Sequence, residues 1–398
     1  SDIFSVTPNS FITLLQSGEI GKGVEFTGNY LTDLFGYFFY YFFLITSVFF
    51  QTFFFRNYFL NKDDKKVILF VYRSWGRDLS LNLEIKDSLI EYCGVDNLIL
   101  LEVPRYGNIV NEISKALVKY SISHVIFDTR VMLTKNGIFN IIKSLYQCCF
   151  LSNVVSSAGA TVLCGLTDVV MPGYRLQAEL LTSRNGVAIG WGGVAFSEVR
   201  KFRHSRKVGP LFHPYSIKIL DDSERNSVPN NREIDVAIMG SNYEPRGEFI
   251  REIVPLLEKK NISVYLNTSK DLSYKEYLDI YKKSKIGFNT NWVVGKKHKY
   301  NLVARNFEIM VCGSLLLTQH CSGLDVYVDE GQDYISFDGV DDIIEKIIYL
   351  LGHEHERSAI AKSGYVKMRS MIMQHFAWEE INKCLVGNNI QPICKKKL

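Results

Sequence analysis

Eight cysteines are scattered through 398 residues with no Cys-x-x-Cys pair, and only the neighbours Cys148 and Cys149 lie close together. A disulfide framework or a zinc site is therefore not expected, and a reducing compartment fits the pattern. The sequence also lacks a Gly-x-Ser-x-Gly elbow, a P-loop, a His-Glu-x-x-His helix and a Gly-x-Gly-x-x-Gly turn. These absences argue against α/β-hydrolase, P-loop NTPase, zincin and dinucleotide-binding chemistry. A net charge of +4 is too small to imply a nucleic-acid partner, and none is expected. With 47% apolar and 22% charged residues the chain is neither disordered nor uniformly membrane-embedded. No internal repeat is visible, and only one tract is compositionally biased.

That tract is 35–55, FGYFFYYFFLITSVFFQTFFF, in which 13 of 21 residues are Phe or Tyr and none is charged. Its length suffices to cross a hydrocarbon core of ~30 Å as a helix. It starts too late for a cleavable signal peptide and has no basic leader. Such aromatic richness also suits a segment lying in the membrane interface, and burial against the catalytic body is the alternative. Arg56, Lys62, Lys65 and Lys66 follow it, so a span would leave the large C-terminal part on the cytoplasmic face. The expectation is a peripheral, monotopic or single-span protein at that face. Basic runs at 200–207 and 395–397 read first as solvated surface and second as contacts for anionic lipid.

Beyond that tract the pattern alternates. Strands are expected at 67–72, 98–103, 124–128 and 161–164, with helices at 81–92, 109–119 and 138–152 between them. This is the signature of βαβ units and a parallel sheet. The stretch 166–212 is less regular and rich in glycine. A polar segment, 221–232, reads as a linker. A second alternation follows: strands 235–239, 263–267 and 286–289, with helices 247–259 and 274–283. The domains expected are thus 1–60 (hydrophobic, membrane-associating), 61–220, the linker, 233–385 and a basic tail, 386–398.

The most informative block runs from Tyr300 to Phe337. A helix over 301–312, ended by Gly313 in a left-handed cap, leads into a strand over 314–318. Leu302, Val303, Phe307, Met310 and Val311 fall on its core face, and Arg305, Glu308 and Cys312 on the other. The order Arg305-x-Phe307-Glu308, Cys312-Gly313, Leu316-Leu317-Thr318, then Tyr334 to Phe337, resembles the nucleotide-sugar half of the GT-B glycosyltransferases. Within them it is most similar to the group-1-like, spore-maturation-type branch. The likeness extends back to Met239-Gly240-Ser241 and forward through Ile360 to Tyr365 and His375 to Trp378. It covers about 150 residues.

The resemblance implies an α/β GT-B architecture: two Rossmann-like domains with a deep cleft between them, here with an N-terminal hydrophobic helical segment. It implies transfer from a nucleotide-diphosphate sugar, UDP-linked by default, with no metal or other cofactor. The acceptor expected is a glycan or a lipid-linked saccharide, and a homo-oligomer is compatible. A nucleotide-sugar epimerase and a catalytically silent binding or assembly subunit of the same fold are the alternatives.

The family's ribose-binding glutamate corresponds to Glu308, and its diphosphate-gripping cation to Arg246, in the turn Gly240-Ser241 to Gly247. Many members carry a further glutamate where this chain has Tyr300, so the two-glutamate pattern is broken. Lys299 is a candidate diphosphate contact and Arg305 a further donor residue, with an Arg305–Glu308 ion pair as the structural alternative. Strand-end and loop positions add Tyr265, Asn267, Asn289, Gly323 and Leu324 to the donor set. Asn291 and Trp292 could edge the same pocket. For catalysis, Asp128 at the end of its strand, followed by Arg130, is the candidate base that would take the proton of the acceptor hydroxyl; a helix cap is its ordinary alternative. Arg246 and Glu308 complete the catalytic set. The turn 73–77 is another candidate site edge, and His124, His204 and His213 read as structural or weak.

Overall fold

The computed structural model describes residues 66–73, 80–104, 108–128, 138–166, 172–202, 205–220, 232–269, 272–293, 296–321 and 323–394. The aromatic tract at 35–55, the turn residues 74–77, Arg130, His204, most of the linker and the basic tail at 395–397 lie outside them. No helix among the described residues is long and apolar enough to cross a membrane.

Two compact units divide the chain. One comprises Ser1–Trp191, Ala195–Leu211 and Trp378–Leu398, and the other Gly192–Val194 and Phe212–Ala377. In the first, β1 (Val67–Arg73), α1 (Ser80–Cys93), β2 (Leu98–Val103), α2 (Ile109–Lys119), β3 (Ile122–Asp128), α3 (Ile138–Ser157), β4 (Thr161–Leu166), α4 (Pro172–Thr182), β5 (Gly186–Trp191), α5 (Gly193–Val199) and β6 (Arg206–Leu211) alternate. Six parallel strands run in the order β2-β1-β3-β4-β5-β6. Continuous burial of β4 and β5 is what a parallel sheet covered by helices requires.

The glycine-rich stretch, irregular by sequence, turns out to be β5 with its flanking helices. A Cβ at Gly186 would lie 2.6 Å from the Thr182 Cα, and one at Gly190 2.5 Å from the Phe196 Cα. The glycines let the neighbouring helix backbones approach the strand, and in doing so they erase the β-branched pattern by which a strand is read.

The second unit is built from β7 (Ile234–Met239), α6 (Arg246–Glu258), β8 (Val264–Asn267), α7 (Tyr274–Lys282), β9 (Ser284–Asn289), the short strands β10 (Trp292–Val293) and β11 (Lys296–Tyr300), α8 (Ala304–Val311), β12 (Leu315–Gln319), β13 (Ile335–Phe337), α9 (Gly339–Gly352) and α10 (Glu354–Met373). Its parallel sheet has the order β13-β12-β9-β7-β8, and β10 and β11 pair antiparallel. Along β7, Val236 and Ile238 join a core with Phe249, Ile253, Ile343 and Ile347 from α6 and α9. Ala237 and Met239 join the other, with Leu278, Phe307 and Met368 from α7, α8 and α10. Strand periodicity thus feeds two helical layers.

The last helix, α11 (Phe376–Gly387), passes from one unit to the other. Trp378 onward packs with the first unit, whereas the sequence carried the second domain to 385. Trp378 is 1% exposed; its indole N–H donates to Ser88 Oγ over 3.1 Å and its ring stacks on Tyr92. Tyr92 OH in turn donates to Glu379 and accepts from Asn382.

The tail beyond α11 reaches β3, where His124 Nε2 lies 2.9 Å from the Gln391 carbonyl and Nδ1 3.0 Å from Ser123 Oγ. Burial first, partly opposed by the Gln391 bond and reinforced by Lys66, lowers the His124 pKa to about 4. The native ring is therefore neutral, and the structural role read for it stands. Below pH ~6.5 the unfolded chain takes up a proton that the native state refuses. We expect stability to fall from about pH 6.5 toward pH 4, by up to about 3 kcal/mol. Thermal melts at pH 7 and pH 5, with His124→Gln showing the flatter response, check this.

Candidate functional site

The carboxyl end of the second unit's sheet gathers its charged residues. β7 ends at Met239, and Gly240 follows with φ +113°, its N–H donating to the Asn267 carbonyl at the end of β8 over 2.9 Å. A Cβ added to Gly240 would fall on the Arg305 guanidinium. Glycine is required there on two grounds, the backbone angle and the arginine lying against it.

Arg305 stands in the first turn of α8 and is partly buried. Its Nη1 donates to Asn289 Oδ1 over 2.8 Å. One turn on, Glu308 is only 5% exposed and accepts from Tyr277 OH on α7 over 2.8 Å. The two charged residues turn to different partners, rather than to each other as the ion-pair alternative had it. Burial raises the Glu308 pKa above the ordinary carboxylate value, and the Tyr277 bond, Arg305 and Tyr274 oppose the rise.

Arg246 departs from its expected place. Rather than opening outward at the start of α6, it is fully buried, with Nη1 donating to Thr290 Oγ1 over 2.7 Å and Nη2 to the Met239 carbonyl over 3.0 Å. The beginning of α6 is occupied instead by Glu244, whose carboxylate accepts from the Glu248 N–H and from Arg251. An acid at a helix start satisfies amides that would otherwise face an anion. Burial, then repulsion from Arg305, pulls the Arg246 pKa below the usual guanidinium value. Two guanidinium groups thus meet at this end of the sheet with Glu308 beside Arg305, an arrangement that favours an incoming anion.

The other expected residues separate into three groups. Asn289 is at the centre, fully buried and hydrogen-bonded to Arg305, Asn291 and Asn306. Ser241, Tyr265 and Asn267 lie at or beside the ends of β7 and β8, and the Asn267 side chain accepts from Ser269. Gly323 (φ +98°) donates its N–H to Asp325 Oδ1, and Leu324 is completely buried in the core rather than presented to a ligand. Tyr300, where many relatives of the resemblance carry an acid, is exposed at the end of β11. Lys299 lies on β11 and Asp128 ends β3, but their side chains are outside the described part. Among the described residues no cluster of three His, Cys, Asp or Glu is placed to hold a metal ion.

Sequence reasoning missed Tyr274, Tyr277, Thr290, Asn306 and Thr318. A weak signal existed: Tyr274 and Tyr277 are three residues apart at a helix start, and Asn289 and Asn291 share one side of an extended segment.

Residues 224–380 match the family described as glycosyl transferase-like. Among solved structures, HepE of Anabaena, in complex with UDP and glucose, is similar in fold: TM-score 0.52 and 11% identity, over 81% of this chain and 99% of that one. An alpha-glucosyltransferase in complex with UDP-glucose and DNA containing an abasic site superposes with TM-score 0.54 and 14% identity, over 81% of this chain and 99% of that one. No curated protein is significantly similar in sequence. The chain thus shares the fold of these structures, and its residues 224–380 are similar to the glycosyl transferase-like family. The matched segment falls in the second unit and the start of α11.

Proposed function

We propose that the chain transfers a sugar from a nucleotide-diphosphate donor, UDP-linked, to a glycan or lipid-linked saccharide at the cytoplasmic face of a membrane. The observation that carries the donor half is the meeting of Arg305, Arg246 and Glu308 at the carboxyl end of the parallel sheet, beside the Gly240 turn. Open α/β sheets bind ligands at that end. Arg305 takes the diphosphate there and Glu308 a ribose hydroxyl, while Arg246 supplies charge from behind. Diphosphate departure then relies on fixed cations and backbone amides. That HepE and the alpha-glucosyltransferase were obtained with UDP or UDP-glucose supports the choice of nucleotide.

The acceptor half of the proposal rests on sequence. The first unit would bind the acceptor, with Asp128 at the end of β3 taking the hydroxyl proton, and the aromatic tract at 35–55 would hold the enzyme at the lipid surface. The test is turnover of UDP-sugars by the full chain in detergent, with and without a lipid extract. Transfer that requires the lipid fraction supports the proposal. Free epimerised sugar would point to an epimerase, and binding without turnover to a silent subunit; either result overturns it.

A further inference from the structure

We propose that the buried asparagine cluster Asn289, Asn291 and Asn306 is a positioning device, which aims the Arg305 guanidinium at the donor diphosphate. The inference rests on the donor reading above and assigns Asn289 a different task from the donor contact expected of it.

The three asparagines are fully buried, whereas Arg305 keeps part of its surface open. Their bonds run in one sense. Asn289 Nδ2 donates to Asn306 Oδ1 over 2.7 Å and to Asn291 Oδ1 over 3.1 Å. Asn306 Nδ2 donates to Asn291 Oδ1 over 2.9 Å. Asn291 Nδ2 donates to Thr318 Oγ1 and to the Gln319 carbonyl, and the Thr318 hydroxyl donates back to Asn306 Oδ1. With both Asn289 amide protons committed, its oxygen alone is left, and that oxygen accepts from Arg305 Nη1. Reversing the Asn289 amide would set an NH₂ group against a guanidinium and break two further bonds. The polarity of the whole cluster is thus read out at one arginine.

Buried amides are costly unless every group is satisfied, and a satisfied network rigidifies what it touches. Here β9, the segment before β10, α8 and β12 each contribute to the network. Gly240, with no Cβ, lets the guanidinium lie against the turn after β7. Buried Arg246, which repels Arg305, is kept apart by its own bonds to Thr290 and Met239. A long flexible side chain is thereby pre-set for an anionic ligand.

The test is a double-mutant cycle on the full chain, with UDP and uridine as probes in calorimetric titration. Arg305→Ala and Asn289→Ala are each expected to weaken UDP about tenfold, with uridine affinity unchanged. On the Arg305→Ala background, Asn289→Ala should cost nothing more. Asn289→Asp keeps an acceptor for Arg305 but loses both amide donations that hold the cluster, so it too should weaken UDP about tenfold with uridine unchanged; it carries the test should the alanine variant not fold. Equal loss of UDP and uridine in Asn289→Ala, an undiminished effect without Arg305, or an Asp variant that binds UDP as wild type does overturns the proposal. If Arg305→Ala weakens UDP and Asn289→Ala does not, positioning fails and the donor reading stands. A wild-type chain that binds neither probe removes both.

Discussion

Glu308→Ala is expected to weaken UDP binding by about ten- to a hundredfold and to lower sugar transfer at least as far. A hydrogen bond to a charged group contributes about 1.5–3 kcal/mol, and each 1.4 kcal/mol is tenfold in affinity. Glu308 is nearly enclosed, so water cannot replace it cheaply, and its loss also strips Tyr277 OH of its acceptor. Glu308→Gln separates the two effects: its amide oxygen still accepts from Tyr277 while the charge is gone. We expect the glutamine variant to melt near wild type and to bind UDP more weakly. Because burial raises the Glu308 pKa, the carboxylate form is lost as pH falls through that raised value. Wild-type UDP affinity should decline over that range, and the glutamine variant should not follow. Unchanged binding in Glu308→Ala would show that the nucleotide does not use this carboxylate.

Trp378→Ala is the largest expected loss of stability. The ring is enclosed in the first unit, stacked on Tyr92 with its N–H bonded to Ser88, and its removal leaves a cavity in that packing. Large aromatic truncations of this kind cost ~3–5 kcal/mol. The loss should fall on the unit that holds Trp378, so hydrogen exchange should speed up in β1, β3 and α1 before it does in β7 and β9. A change below about 1 kcal/mol would mean that the return of α11 to the first unit contributes little.

Much of this architecture was legible in the chain because parallel sheets write themselves as apolar runs between amphipathic helices. β1, β2, β3, β7, β9 and β12 fell within a residue or two of expectation. Gly313 takes the left-handed conformation foreseen for it (φ +67°), though α8 begins only at Ala304 because Val303 stays extended as its N-cap. β5 was hidden by the glycines that its helices demand. The two faces foreseen for α8 were misjudged in one respect: Glu308 and Cys312, placed on the polar side, are both buried, because α7 covers that side.

At the candidate site, Glu308, Gly240 and Arg305 lie together at one end of the sheet, but the sequence could not say which arginine is fully buried. Arg246 has a helix-start position and a buried destination, and only the contacts with Thr290 and Met239 reveal it. The asparagine cluster was invisible for a related reason. Asn289, Asn291 and Asn306 come from separate elements, and amides carry no periodicity of their own.

A structure of the full chain soaked with UDP tests the central claim most directly. The account predicts the ribose hydroxyls within hydrogen-bond distance of Glu308, and the diphosphate against Arg305 and the Gly240-Ser241 backbone. UDP bound away from the carboxyl end of the β7–β9–β12 sheet, or bound there with Arg305 still turned from its phosphates, would contradict it.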